Sequence, residues 1–484
     1  MKNFVPYIAA IAATISSCTS FLNVDQLGKN TIEGFFSTPD GLTSAGIGLH
    51  RAFLEYYDDE YIKLAELQGD NLDVLRSNCN EANLLVYDFE SEEAHDAGHP
   101  YYAWNKGYDV VTNANQILEH APKLLAKYPN QEELVRKELG YAYFVRAVMI
   151  FNLTNIYGQA YDYTPDASHL GVVPVDRIPG FDDKLPRQSV KACYDLVLSD
   201  LNKALENFGD DSVPSVYYAS GLAAKAMLAR VCLYMKDYAN AARYAKEVMD
   251  RVSLVSRNEY VDMFRRAQNT PGECIMRLNT YDAGSGMTSF CDPTGAQDAR
   301  PEAGFASTFA DNDIRKELLT FVGEAEDKTH EGQSYSAICK YLPFKGGESN
   351  ESNRRWDYPL LRVSEMYLIH AEALCLGPDK DLKTAADDIK ALRARALGTD
   401  PSTIEIGYSS AVDLDRIIQE ERAKELCYEG HRFFDLKRRH EDIVRPATTS
   451  SHLKTLKYPH YRYVLPIAHL EMQANESMVQ NENY

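Results

Sequence analysis

A chain of 484 residues, 45% apolar and 25% charged, has the balance of a globular protein with a buried core, which excludes disorder, collagen-like fibre and a polytopic membrane protein. Its 51 basic and 71 acidic residues leave a formal charge of −20, which excludes a nucleic-acid partner and disfavours a polyanionic ligand, since both need a basic surface. Tyrosine is used 32 times and tryptophan twice, a bias that suits half-apolar, hydrogen-bonding surfaces in packing and in ligand binding alike.

Met1 and Lys2 precede an uncharged, mostly apolar run, Phe4 to Ile15, that is too short to span a bilayer of about 30 Å and reads as a secretory signal. The run ends in Ile15-Ser16-Ser17-Cys18, which resembles a bacterial lipobox. Residues 1–17 are therefore expected to be removed and Cys18 to be acylated; at about 0.8 kcal/mol per buried CH₂, several acyl chains hold a protein durably on a membrane. The later cysteines show no CxxC or zinc-ligand spacing, and Cys232, Cys375 and Cys427 fall in apolar helical stretches, so most read as small buried hydrophobes. Cys274 and Cys291, on either side of a loop, are the disulfide candidates.

Helical periodicity dominates the chain beyond this segment. Thr38-Pro39-Asp40 starts a helix to Tyr57, with Leu42, Ala45, Leu49 and Phe53 on one face. Further helices are predicted over 101–126, 131–157, 189–207 and 220–235, and 238–252 returns from a turn at Lys236-Asp237. Leu228, Ala229, Ala241, Ala245 and Val248 then occupy the packing positions of a tetratricopeptide-type pair, where alanine lets two helices approach closely. Residues 366–376 and 384–397 form a second such pair. Between about Asn279 and Thr308 the chain is rich in Gly, Ser, Thr, Asp and Pro, and Lys345 to Tyr358 is a second irregular stretch; long loops of this kind are commonly functional.

Catalytic signatures are missing: there is no phosphate loop, GxSxG elbow or HExxH. His95 and His99 stand four apart, but Gly98-His99-Pro100 argues against a helix that would aim both at a metal. Asp311-Asn312-Asp313 begins like a calcium loop, yet Arg315 takes the third ligand position. No cofactor or metal is expected.

The strongest signal is Glu421-Arg422 through Glu425-Leu426, Glu429-Gly430, Arg432, Asp435-Leu436 and Arg438. Its acids and bases recur at helical i,i+3 and i,i+4 spacing, which favours a structural ion-pair cluster over acid–base catalysis. The order resembles the E-R-x-x-E-L-x-x-E-G-x-R-x-x-D-L-x-R signature of the SusD/RagB family, outer-membrane lipoproteins that capture nutrients. Leu67-Gln68-Gly69-Asp70-Asn71 is similar to that family's early Gly-Asp motif. Trp104 through Asn113-Ala114-Asn115, the helix with Ala142, Phe144, Arg146 and Ala147, and Leu361-Arg362 through Ala371-Glu372-Ala373 are similar to its helices, and Leu465-Pro466-Ile467 to its terminal motif. Ala468, Glu476 and Glu482 depart from its turn residues, and no acidic cluster follows Cys18.

The resemblance implies a mainly α fold, a superhelix of tetratricopeptide-like helix pairs with irregular loops and a few short strands. Residues 18–215 and 216–484 would be the two parts of one packed unit. It implies a lipid-anchored protein of the outer membrane, facing outward, that binds a glycan and passes it without chemistry to a SusC-type TonB-dependent transporter. The alternatives are a peptide ligand, a helical scaffold for protein partners, and a surface hydrolase. The candidate ligand residues come from the loops: Asp70, Asn71 and Arg76, then Tyr281 and Phe290, then Trp356. Trp104 is placed with Tyr108 and Val111 on a buried helix face.

Overall fold

The computed structural model describes residues 31–92, 98–209, 215–265, 272–279, 286–323, 329–342 and 357–484. Helices α1 (Ile32–Phe36) and α2 (Pro39–Tyr56) lead into a π-helix (Tyr57–Tyr61), α3 (Ile62–Leu67), strand β1 (Leu72–Val74) and α4 (Glu81–Tyr87). The long helices α5 (His99–Lys127), α6 (Glu132–Tyr157) and α7 (Val190–Phe208) follow, then α8 (Gly221–Tyr234), α9 (Tyr238–Met249) and α10 (Arg257–Arg265). The next region is mixed: β2 (Cys274–Asn279), α11 (Gly286–Cys291), β3 (Ala299–Pro301), α12 (Ala303–Ser307), β4 (Thr320–Val322), β5 (Ser334–Ser336) and β6 (Asp357–Arg362). The chain returns to helix with α13 (Val363–Leu376), α14 (Leu382–Leu397), α15 (Ala411–Glu425) and α16 (Arg432–Arg438), and ends through β7 (Ile443–Val444), β8 (Thr455–Leu456) and α17 (His469–Ala474).

The protein is mainly α, as the sequence implies. Helices stack in chain order, α5 on α6, α6 on α7, α7 on α8 and α8 on α9; α9 then packs on α13, and α13 on both α14 and α15. The starts lie where side-chain oxygens cap free backbone amides: Thr38 accepts from Gly41, Ser189 from Ala192, Ser220 from Ala223, Asp381 from Thr384 and Ser410 from Asp413. Helix α6 is the centre of the stack, buried on every face from Phe144 to Tyr157. At Gly107 on α5 a Cβ would lie 2.8 Å from the Leu153 side chain of α6, so any larger residue would force that leucine to move. Leu228, Ala229, Ala241, Ala245 and Val248 are all buried at the α8–α9 crossing, and Trp104 is buried against Tyr108 and Tyr157. The strands form four separate antiparallel pairs, β1–β3, β2–β6, β4–β5 and β7–β8.

Helix α5 begins at His99, with Gly98 at its N-cap and Pro100 in its first turn, where proline costs no hydrogen bond; His95 lies outside the described residues. Two expectations need correction. Cys274 and Cys291 are free and buried, and do not form a disulfide. The signature segment is two helices rather than one: it breaks between Glu425 and Arg432, where Tyr428 and Gly430 adopt φ of 63° and 82°.

That break sends the signature charges to partners in distant elements. Arg362 bonds Glu273 at 2.5 Å, Glu425 at 3.1 Å and Glu429 at 2.8 Å, while Arg395 bonds Glu273 and Glu425 at 3.1 and 2.6 Å. Arg315 bonds Glu421 at 2.6 Å and its neighbour Asp313 at 2.7 Å, so the calcium-like segment is spent on an arginine. Arg422 reaches Asp435 at 2.8 Å, and Arg438 holds Glu372 at 2.6 Å. Among the described residues buried Lys437 has no carboxylate partner: its Nζ donates to the carbonyls of Asn155 and Gly158 at 2.7 and 2.6 Å, at the negative C-terminal end of α6. Burial pushes that ammonium well below its ordinary range. Lys437→Met, which strands two buried carbonyls, is expected to lower stability in urea by about 1–3 kcal/mol.

Candidate ligand face

The β2–β6 ladder brings the two irregular segments to one place. Its register pairs Cys274 with Arg362 at one end and Asn279 with Asp357 at the other. Asn279 is the described residue that leads toward Tyr281, and Asp357 directly follows Trp356. Tyr281 and Trp356 themselves lie outside the described residues.

Asp58, in the first turn of the π-helix, joins these ends. Its carboxylate accepts the hydroxyl hydrogen of Tyr358 and, at 3.2 Å, the amide of Gly286, the first residue of α11. Tyr217 donates to Asp357 at 3.1 Å. Burial, then Asp58, pushes the Tyr358 phenol well above its usual range, and burial, then Asp357, pushes Tyr217 up to about 12. Both phenols therefore stay protonated and act as donors. A π-helical turn is an uncommon, wider turn found frequently at functional sites. Here it also sets Tyr57 and Tyr61 with ring centroids 4.9 Å apart, and Tyr61 stacks on Phe434 at 5.6 Å. Beneath lies a cavity of about 10 Å³ walled by Tyr57, Tyr61, Tyr234, Tyr341 and Tyr358, at the lower limit for one water. The result is a buried tyrosine cluster, Tyr341 and Tyr358 each 1% exposed, that fixes Asp58 and the end of the ladder beneath a candidate ligand face and offers that face polar groups rather than ring faces.

The other loop candidates sit differently. Asp70 takes a two-pronged bond from Arg432 at 2.6 and 2.9 Å, tying the Gly-Asp motif to the signature. Asn71 is buried, and its carbonyl accepts from the Glu302 amide and the Tyr428 hydroxyl, both at 2.9 Å. Arg76 bonds Asp88 at 2.8 Å and the Ser450 carbonyl at 3.3 Å. Phe290 is 1% exposed, in the core with Met287 and Cys291, because the stretch read as irregular contains the short helix α11. Phe290 thus offers no ring face to a ligand. The sequence reading missed Asp58, Tyr217 and the π-helix; the run Tyr57-Asp58-Asp59-Glu60-Tyr61, tyrosines around acids at a predicted helix end, was the available signal.

A wider cleft of about 620 Å³ lies between α10 and the turn before β4, lined by Arg257, Val261, Asp311, Lys316 and Glu317 among others. Among the described residues no aromatic ring lines it, and its charges are partly spent: Lys316 pairs with Asp311 at 2.7 Å, and Arg257 donates to the Asn312 carbonyl at 2.8 Å. Glu66 has the strongly raised carboxyl expected of a general acid, pushed up to about 8 by burial, but it lies under the Gly430 amide at 2.8 Å and faces no cleft.

Stacked helix pairs of this kind define a helical-repeat protein. Comparison with known proteins gives the family. Residues 21–233 match the family model described as "Starch-binding associating with outer membrane", and residues 252–484 match that described as "SusD family". The chain belongs to the SusD/RagB family. It is 25% identical to SusD-like protein P38 of Formosa agariphila over 490 residues, covering 89% of each chain. The crystal structure of a SusD superfamily protein from Bacteroides thetaiotaomicron superposes with a TM-score of 0.76 at 23% identity, covering 92% of this chain and 100% of that one. A laminarin binding SusD-like protein superposes at 0.70 with 18% identity, covering 92% and 99%. At such identities these two structures establish the likeness of fold.

Proposed function

We propose that this protein captures glycans at the cell surface and passes them, chemically unchanged, to a SusC-type TonB-dependent transporter, held on the outward face of the outer membrane by acyl chains on Cys18. The observation that carries this reading is the meeting of Asn279, Asp357 and Gly286 over Asp58, because it joins the chain ends next to Tyr281 and Trp356 above a buried tyrosine cluster. Aromatic rings match the apolar faces of pyranose sugars, and fixed carboxylates and phenols match their hydroxyls. Tyr281 and Trp356 are the stacking residues in this proposal; Asp70, Asn71 and Arg76 support the scaffold around it. The family description as starch-binding and outer-membrane associated, and a structural neighbour that binds laminarin, favour a glycan over a peptide.

The test is calorimetric titration of the lipid-free protein, Thr19 to Tyr484, with maltohexaose, laminarihexaose and a wider glycan panel, a peptide pool alongside, and chromatography of the recovered ligand. Saturable heats with the sugar recovered intact are expected. A response to peptides alone, or hydrolysed sugar, contradicts the reading.

A further inference from the structure

Glu60 lies two residues beyond Asp58 in the π-helix and is buried, with Oε2 2.7 Å from Nδ1 of His99. The other ring nitrogen, Nε2, is 2.7 Å from Oδ1 of Asn83 on α4. The far end of Asn83 fixes which way that amide points: its Nδ2 donates to the carboxylate of Asp298 at 2.9 Å. Oδ1 is therefore the atom turned to His99, and an amide oxygen accepts but does not donate. A ring with an acceptor against each nitrogen satisfies both contacts by carrying a proton on each. The ring is 6% exposed and opens helix α5, where the helix dipole opposes a cation, so the charge depends on Glu60 across from it.

We propose that His99 is a positioning residue of the ligand face: a doubly protonated ring that pins the π-helix, and with it Asp58, to α4 and to the start of α5. Its consequence for binding rests on the reading of that face given above; the latch itself does not. The charged and titratable groups around the ring come from each neighbouring element. Glu60 faces it directly, and Lys106 of α5 stands 3.6 Å from the other oxygen of Glu60. Asp298 lies behind Asn83; burial raises its carboxyl, against Lys63 of α3 and the Asn83 hydrogen bond, which lower it. Tyr56 and Tyr157 feel the Glu60 charge, and Tyr157 donates to the Pro100 carbonyl beside the ring at 2.5 Å. Removing one ring proton by raising the pH turns one of the two bonds into a contact between a bare nitrogen and an oxygen. The tie between the π-helix and α4 then opens, and Asp58 is no longer held under Tyr358 and Gly286.

The experiment is ring-nitrogen NMR of the full chain, with the His99 signals assigned by their loss in H99Q, and hydrogen exchange of the Tyr57–Tyr61 amides in both proteins. Two protonated ring nitrogens at neutral pH are expected, with exchange at Tyr57–Tyr61, corrected for the pH dependence of intrinsic amide exchange, about tenfold faster or more in H99Q, or in the parent once the ring is deprotonated. One protonated and one bare ring nitrogen at neutral pH, or exchange at the π-helix unchanged by ring deprotonation, overturns the proposal. Neither readout uses a ligand, so an absence of glycan binding would sink the proposed function and leave this test standing. If H99Q does not fold, the pH series on the parent protein decides alone.

Discussion

Arg362→Met is expected to cost about 3–5 kcal/mol of folding stability, measured by urea unfolding, because it leaves buried carboxylates short of a cation. Arg362 is 2% exposed and serves Glu273, Glu425 and Glu429 together, with a further bond to Ser364 at 2.6 Å. Those carboxylates come from β2's approach, α15 and the break before α16, so the arginine joins the strand pair under the proposed ligand face to the signature. Arg362→Lys is expected to recover only a fraction, since a single ammonium cannot reproduce the planar fork that meets three acids. Arg51→Ala, which breaks the exposed pair with Glu55, is the contrasting control and is expected to change little. A loss below about 1 kcal/mol for Arg362→Met would mean that Arg395, Arg315 and Lys340 neutralise the cluster without it.

The second large effect is a stability maximum near pH 5 with losses on both sides. Burial alone would raise Glu365 and Glu372, but Arg230 overcomes it for the first and Arg438 for the second, and both are held at about 2. A carboxyl whose folded value lies below its unfolded one stabilises the protein above the unfolded value and loses that contribution as the pH falls toward 2. Glu425, held well below its usual range by Arg395, Arg362 and Arg315 against burial, acts in the same direction. Glu66 and Glu138 act oppositely. Burial pushes them up to about 8 and about 7, so the folded state holds protons that the unfolded chain gives up above about 4.5, and stability declines as the pH rises through those values. Glu66→Gln keeps an acceptor for the Gly430 amide and removes the ionisation, so the variant is expected to gain on the parent progressively between pH 4.5 and about 8, by an amount on the order of a few kcal/mol. Urea unfolding from pH 3 to 9 checks both limbs; parallel curves for parent and Glu66→Gln would contradict the burial argument.

Much of this architecture is legible in the sequence because it is local. Thr38, Ser189 and Ser220 announce helix starts through their own caps, and the alanines at 229, 241 and 245 announce a close crossing. The signature residues also identify a charge cluster, and the structure makes it one. Their partners were not legible: i,i+4 spacing suggested pairs along one helix, whereas Arg422 finds Asp435 only because the chain reverses at Tyr428 and Gly430. The ligand face is the least local part. It depends on pairing Asn279 with Asp357 and on Asp58 meeting Tyr358, contacts between residues far apart in the chain that leave no periodic trace. The π-helix leaves only the run of tyrosines around acids at 57–61 as a trace, since one widened turn does not disturb the periodicity around it. Phe290 misled because a Gly- and Ser-rich composition hides a six-residue helix that turns this ring inward.

The central claim is that a glycan binds at the end of the β2–β6 ladder. The structure of the full-length lipid-free protein with the oligosaccharide that binds most tightly in calorimetry tests it most directly. The account predicts sugar rings above Asp58 and Tyr358, against the segments that carry Tyr281 and Trp356. A sugar in the cleft between Arg257 and Glu317, with the Asp58 face empty, would contradict it.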